Sequence, residues 1–208
     1  KYLQSGGVDT TYRTYKNLYL YGALFDASAA MVYENMPKSD PYTIRHFLNS
    51  LFGAGLMIFT GLLARQLSRS WLVAFLAMLL TVLSPRIFGD SMNNPKDIPF
   101  ALAYVMSILG IIRFNSFLPK WNWKAAIFLG LSMSIALNIR VGGLLLMAYF
   151  GLYTLTNLYI KRKEFKDSGL NIIALLGKSI PLGIVSFFLG LIFFPYSYSA
   201  PIIITLCA

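Results

Sequence analysis

Ionisable side chains are scarce in this chain, so their clustering is informative. The stretch SPRIFGDSMNNPKDIPFALAY, residues 84 to 104, places Arg86, Asp90, Lys96 and Asp97 between two apolar runs. Charged groups beside hydrocarbon are costly and tend to mark a site or a pathway. Asp97 and Asp90 are therefore candidate proton acceptors, Arg86 and Lys96 are candidate partners for an anion, and Asn94 is a candidate supporting amide. A second reading of Asp97 stays open, because it stands just before Ile98 and can accept hydrogen bonds from the first free amides of a helix beginning there. Lys96 can likewise snorkel to phosphate headgroups. Arg140 is the other anomaly: in SIALNIRVGGLLLMAYF it separates two apolar runs with almost no loop between them. A guanidinium held at the tip of so tight a hairpin suits a phosphate or diphosphate, and an interfacial arginine meeting lipid headgroups is the competing reading. Arg45 and His46 precede a further apolar run. His46 is the one histidine of the chain and Cys207 the one cysteine, so neither a zinc pair nor a disulfide framework can be built. A carboxylate site for Mg or Mn stays open, since Asp90 and Asp97 are near in sequence. Catalytic triads, Walker-type phosphate loops and dinucleotide fingerprints find no matching spacing.

The elements that must position these residues follow from composition. Of 208 residues 57% are apolar and only 12% charged, with a mean hydropathy of +0.62, which excludes an ordinary soluble enzyme. Six apolar stretches, at 47 to 64, 71 to 88, 98 to 112, 125 to 139, 141 to 160 and 172 to 194, predict an all-α, polytopic transmembrane helix bundle. Spans of about 15 residues cover only about 23 Å, so the shorter ones must extend into polar flanks or border a wet cavity. The net charge of +10 follows the loops. Arg65, Arg69, Arg113, Lys120, Lys124, Lys161, Arg162, Lys163 and Lys166 fall on one side, and only Arg86, Lys96 and Arg140 fall in the alternate loops. By the positive-inside rule the first set is cytoplasmic, and the candidate residues face outward. These are loop charges rather than a nucleic-acid patch, and no nucleic-acid partner is expected.

Residues 1 to 46 are then an outer-face segment and 47 to 208 the bundle. Within the first, NLYLYGALFDASAAMVYEN sets Leu18, Tyr21, Leu24, Phe25, Ala29 and Val32 at helical spacing, which predicts an amphipathic helix lying across the outer surface. Tyr12, Tyr15, Tyr19 and Tyr21 supply an aromatic belt. Membrane contact explains each tyrosine alone, and a lid over a site is the sharper alternative.

Three strings, RHFLNSLFGAGLMIFTGLLARQL, SPRIFGDSMNNPKDIPFALAY and GLSMSIALNIRVGGLLL, together resemble the multispanning glycosyltransferases of superfamily C. The nearest groups are the protein O-mannosyltransferases and the aminoarabinose transferases of lipid A. The resemblance implies an integral membrane enzyme, in the bacterial inner membrane, whose active site faces outward. It further implies transfer of a sugar from a polyprenyl-phosphate donor to a protein, lipid or glycan acceptor, usually with inversion. By position, Asp97 matches a family acidic residue, Arg140 a basic residue at an outer hairpin and Arg45 an arginine typical of its helix. Lys96 is a weaker match for the carrier phosphate. The family's best-known acidic motif follows its first transmembrane helix, whereas Asp9 follows no apolar span here. The main catalytic carboxylate is accordingly expected upstream of Lys1, with Asp26 and Asp9 as fallbacks.

Two other classes compete. A transporter or lipid flippase would also own a polar cavity within a bundle, but its ionisable groups would sit at mid-membrane depth, and here they gather at span ends. A non-catalytic scaffold subunit would tolerate substitution throughout the 84 to 104 stretch.

Overall fold

The computed structural model describes residues 22–36, 40–118, 120–162 and 172–192. Among them every regular element is helical: α1 (Leu24–Asn35), α2 (Pro41–Ser68), α3 (Trp71–Leu83), α4 (Pro85–Asn93), α5 (Asp97–Phe117), α6 (Trp123–Ile139), α7 (Leu144–Ile160) and α8 (Ile172–Leu191). Leu18 and the tyrosines at 12, 15, 19 and 21 lie outside the described residues, as does Asp9.

Local chemistry sets the boundaries. The Asp40 carboxylate accepts from the Thr43 amide at 3.0 Å and Pro41 occupies the first helical turn, so α2 starts before the apolar run does. It closes at Arg69, a non-glycine residue in the left-handed region with φ 57°. The apolar stretch expected as one span at 71 to 88 divides into two helices bent by 67° at Ser84. Pro85 is the reason: it donates no hydrogen bond and disfavours helical geometry in the residue before it, yet it suits the first turn of a new helix. Asn122 caps α6 by accepting from the Ala125 amide at 3.1 Å. A single 3-10 turn, Val141–Gly143, joins α6 to α7. There a Cβ on Gly143 would stand 2.6 Å from the Leu137 amide nitrogen, so only glycine permits so tight a hairpin.

α2 and α5 have 28 and 21 residues, about 42 and 31 Å, enough to cross a bilayer. Among the described residues three helices, Pro41–Ser68, Asp97–Phe117 and Val141–Ile160 taken through the 3-10 turn, are long and apolar enough to span, or four if the bent pair counts as one. The helices at Trp123–Ile139 and Ser179–Leu191 are apolar but shorter.

α5 lies between α2 and α6, with α8 on α6 and α7 against α5. Leu109 and Phe114 of α5, Leu129, Met133 and Leu137 of α6, and Leu146 of α7 are fully buried between them. Phe114 meets Trp121 and Phe150 edge-on. Deeper polar groups join helices: Asn115 Nδ2 donates to Thr154 Oγ1 at 3.3 Å, and Asn157 Nδ2 donates to the Asn115 carbonyl at 3.0 Å. Outward, Leu72, Phe75 and Leu80 of α3 and Leu152, Leu155 and Tyr159 of α7 are exposed, an apolar surface fitted to lipid rather than water. α1 lies across the ends of α2 and α6 with Phe25 and Ala29 buried, so its apolar stripe turns onto the bundle, where the Phe25 ring meets Phe52.

Candidate functional site at one end of the bundle

One end of the bundle gathers the start of α2, the end of α4, the start of α5 and the α6–α7 hairpin. Gly22 closes over it, its amide donating to the Ile139 carbonyl at 3.0 Å. A Cβ on Gly22 would overlap the Asn138 carbonyl, so this close approach requires glycine. Asn138 is buried and donates to the Leu189 carbonyl at 2.9 Å, which fixes the hairpin against α8.

Asp97 and Arg140 meet here. Arg140 NH1 stands 2.7 Å from Asp97 Oδ1, with the guanidinium carbon 6.0 Å from the centre of the Phe100 ring. Oδ1 is buried and receives no aligned hydrogen bond, so the contact is one of charge. The other oxygen, Oδ2, accepts from Asn94 Nδ2 at 2.8 Å. Asn94 Oδ1 in turn accepts from the backbone amides of Asp97 at 3.0 Å and Lys96 at 3.3 Å. Of the two readings left open by sequence, capping therefore falls to Asn94, and the Asp97 carboxylate is free of that task. With side chains 46% and 35% exposed, Asp97 and Arg140 are reachable from outside the bundle.

Beside them opens a small cleft lined by Gly22, Phe25, Asp26, Arg45, Pro95, Lys96 and Ile139. Arg45 is held on its wall by Asp26 at 2.6 Å and by the face of Phe25. Hence Asn94, Lys96, Asp97, Arg140 and Arg45 are brought to one end, three of them through partners far away in sequence. Arg86 and Asp90 instead pair with each other along α4 at 3.8 Å, the arginine side chain 92% exposed, and neither lines the cleft. Asp90 and Asp97 thus face different cations. Among the described residues no three His, Cys, Asp or Glu side chains converge on a point where a Mg or Mn ion would sit.

Sequence reasoning missed two features of this site. Asp26, named only as a fallback carboxylate, has a definite partner in Arg45. His46 and Asn49 bind the end of α4. The available signal was a buried amide, Asn49, in an otherwise apolar run.

A family model for dolichyl-phosphate-mannose-protein mannosyltransferase matches residues 15–198. The chain belongs to this family. No curated protein and no solved structure matches it. As a mannosyltransferase-family chain with long apolar helices, it is an integral membrane protein and a glycosyltransferase. The matched residues include both members of the Asp97–Arg140 pair and every residue lining the cleft.

Proposed function

We propose that the chain transfers a sugar from a polyprenyl-phosphate donor to an acceptor hydroxyl at the outer face of the membrane, in bacteria the inner membrane. The Asp97–Arg140 pair beside a basic cleft is the observation that carries this reading. Transfer of this kind forms a bond from the acceptor oxygen to the anomeric carbon as the bond to the carrier phosphate breaks, which inverts that carbon. The acceptor proton must go to a base and the departing phosphate must be stabilised. Within this chain Asp97 is the carboxylate placed to take that proton, and Arg140 is the planar cation for the phosphate, backed by Lys96 and by Arg45 across the cleft. When a phosphate engages Arg140, it competes with Asp97 for the same guanidinium and leaves the carboxylate to the acceptor. Asp90 and Arg86 would serve the rim, the arginine meeting headgroup or carrier phosphate and the aspartate acting as a second carboxylate. The acceptor class is a protein, lipid or glycan hydroxyl.

The test uses the full-length protein in membranes with a labelled polyprenyl-phosphate mannose and a hydroxyl-bearing peptide. Asp97→Asn is expected to slow transfer by about 10²–10⁴-fold, the range of lost general acid–base catalysis. Arg140→Ala should lower both rate and donor affinity while membrane insertion is unchanged. Full activity in both variants defeats the site assignment. Carrier movement across sealed vesicles without sugar transfer would instead identify a flippase.

A further inference from the structure

A nine-residue helix has few internal hydrogen bonds, and its last carbonyls lack partners within it. In α4 those carbonyls are met from α2. Asn49 Nδ2 donates to the carbonyls of Asp90 and Ser91, both at 2.9 Å, and His46 Nδ1 lies 2.6 Å from the carbonyl of Met92. A carbonyl only accepts, so Nδ1 carries the proton and Nε2 is the acceptor of the neutral ring. The Asn49 side chain is in a residue 1% exposed, and its Oδ1 has no hydrogen-bond partner. Turning the amide over would set that oxygen against two carbonyls, so this orientation is the one that holds α4. Ser50 adds a contact to Met92 Sδ at 3.1 Å.

The same carbonyl of Asp90 also accepts from the Asn94 amide at 2.8 Å. Asn94 then donates to the Asp97 carboxylate. A chain of hydrogen bonds thus runs from Asn49 of α2, through the Asp90 carbonyl at the end of α4, to Asn94 and the group facing Arg140, while His46 holds the Met92 carbonyl of the same helix end.

We infer that His46 and Asn49 are positioning residues, which hold the turn at 94 to 97 so that the Asp97 carboxylate faces the acceptor. The catalytic part of this inference rests on the transferase reading above. Histidine is used through its Nδ1–H, which an asparagine can imitate and a glutamine, whose amide matches Nε2, cannot. In the full-length protein, His46→Asn is expected to keep kcat within about threefold of the parent. His46→Gln and Asn49→Asp should lose about tenfold or more, with donor KM nearly unchanged because Arg140 is untouched. The reverse order, with His46→Gln active and His46→Asn impaired, would make Nε2 a direct proton acceptor and overturn the proposal. Equal activity of both would overturn it as well. A second readout does not depend on transfer. A spin label at Lys96→Cys, in a Cys207→Ser background, should gain mobility in His46→Gln but not in His46→Asn. Unchanged mobility in His46→Gln refutes the clamp. Absence of transfer by the parent protein, together with a clamp intact by this label, would refute only the transferase reading.

Discussion

At the scale of single residues, the decisive fact is a division of labour between neighbours. Asn94 caps the turn that begins α5, and this leaves the Asp97 carboxylate shared between an amide and a guanidinium. The aspartate's position before an apolar run suggested a cap equally well, because capping and catalysis ask for the same side chain in the same place. Only the identity of the residue accepting from the Asp97 amide separates them. Asn94→Asp keeps an acceptor for that amide but sets a second carboxylate against Asp97. It is expected to retain the helix, measured as an unchanged thermal midpoint in detergent, while transfer falls at least tenfold. Arg140→Lys is expected to keep charge but lose the two-pronged geometry, so that donor KM rises about tenfold with a smaller change in kcat. A parent-like KM would show that a point charge is enough and that the fork has no role.

At the scale of elements, the apolar stretches were legible because hydrocarbon solvation needs only length and composition. Their ends were not. α2 begins at Pro41, upstream of an apolar run that reads from 47, since Arg45 and His46 interrupt the run but find partners in Asp26 and Met92. The bend at Ser84 was visible in Pro85 itself, but an apolar run on either side concealed it. The hairpin at Arg140 depends on backbone contact rather than on hydropathy. Gly143→Ala places a Cβ 2.6 Å from the Leu137 nitrogen and 2.7 Å from its Cα, both backbone atoms that cannot rotate away. This substitution is expected to cost about 1–3 kcal/mol, the usual penalty of overpacking, and to displace Arg140. Thermal unfolding and donor KM would report the two effects separately. Asn115→Leu, which removes the side-chain link to Thr154 but keeps the backbone carbonyl that accepts from Asn157, should cost about 1 kcal/mol of stability without a change in KM.

At the scale of the whole molecule, charge sorts the two ends. Asp26, Asp40, Asp90 and Asp97 share the end that holds the cleft, with Glu34 on α1 beside it, whereas Arg65, Arg113, Lys124 and Lys161 lie toward the other. At that other end Lys161 reaches the Leu118 carbonyl and Arg65 stacks on Trp71. The proposed outward orientation of the cleft rests on this sorting. A membrane-impermeant thiol reagent is expected to label Lys96→Cys from the outside of intact cells and Arg69→Cys only in inverted vesicles. The opposite result would turn the site inward and remove an outer-face reaction. Membrane residence, the helical class and the segregation of basic loops were determined by the sequence alone, because apolar length and charge count are local sums that need no knowledge of neighbours. Which outer polar groups meet was decided by the tertiary structure. Arg140 could have faced lipid headgroups, Asp97 its own helix and Arg45 open water. The rotation of each helix about its axis and the closeness of packing at Gly22 and Gly143 select Asp97 with Arg140 and Asp26 with Arg45. Those rotations depend on the packing of all neighbouring helices at once, which no single stretch of sequence encodes.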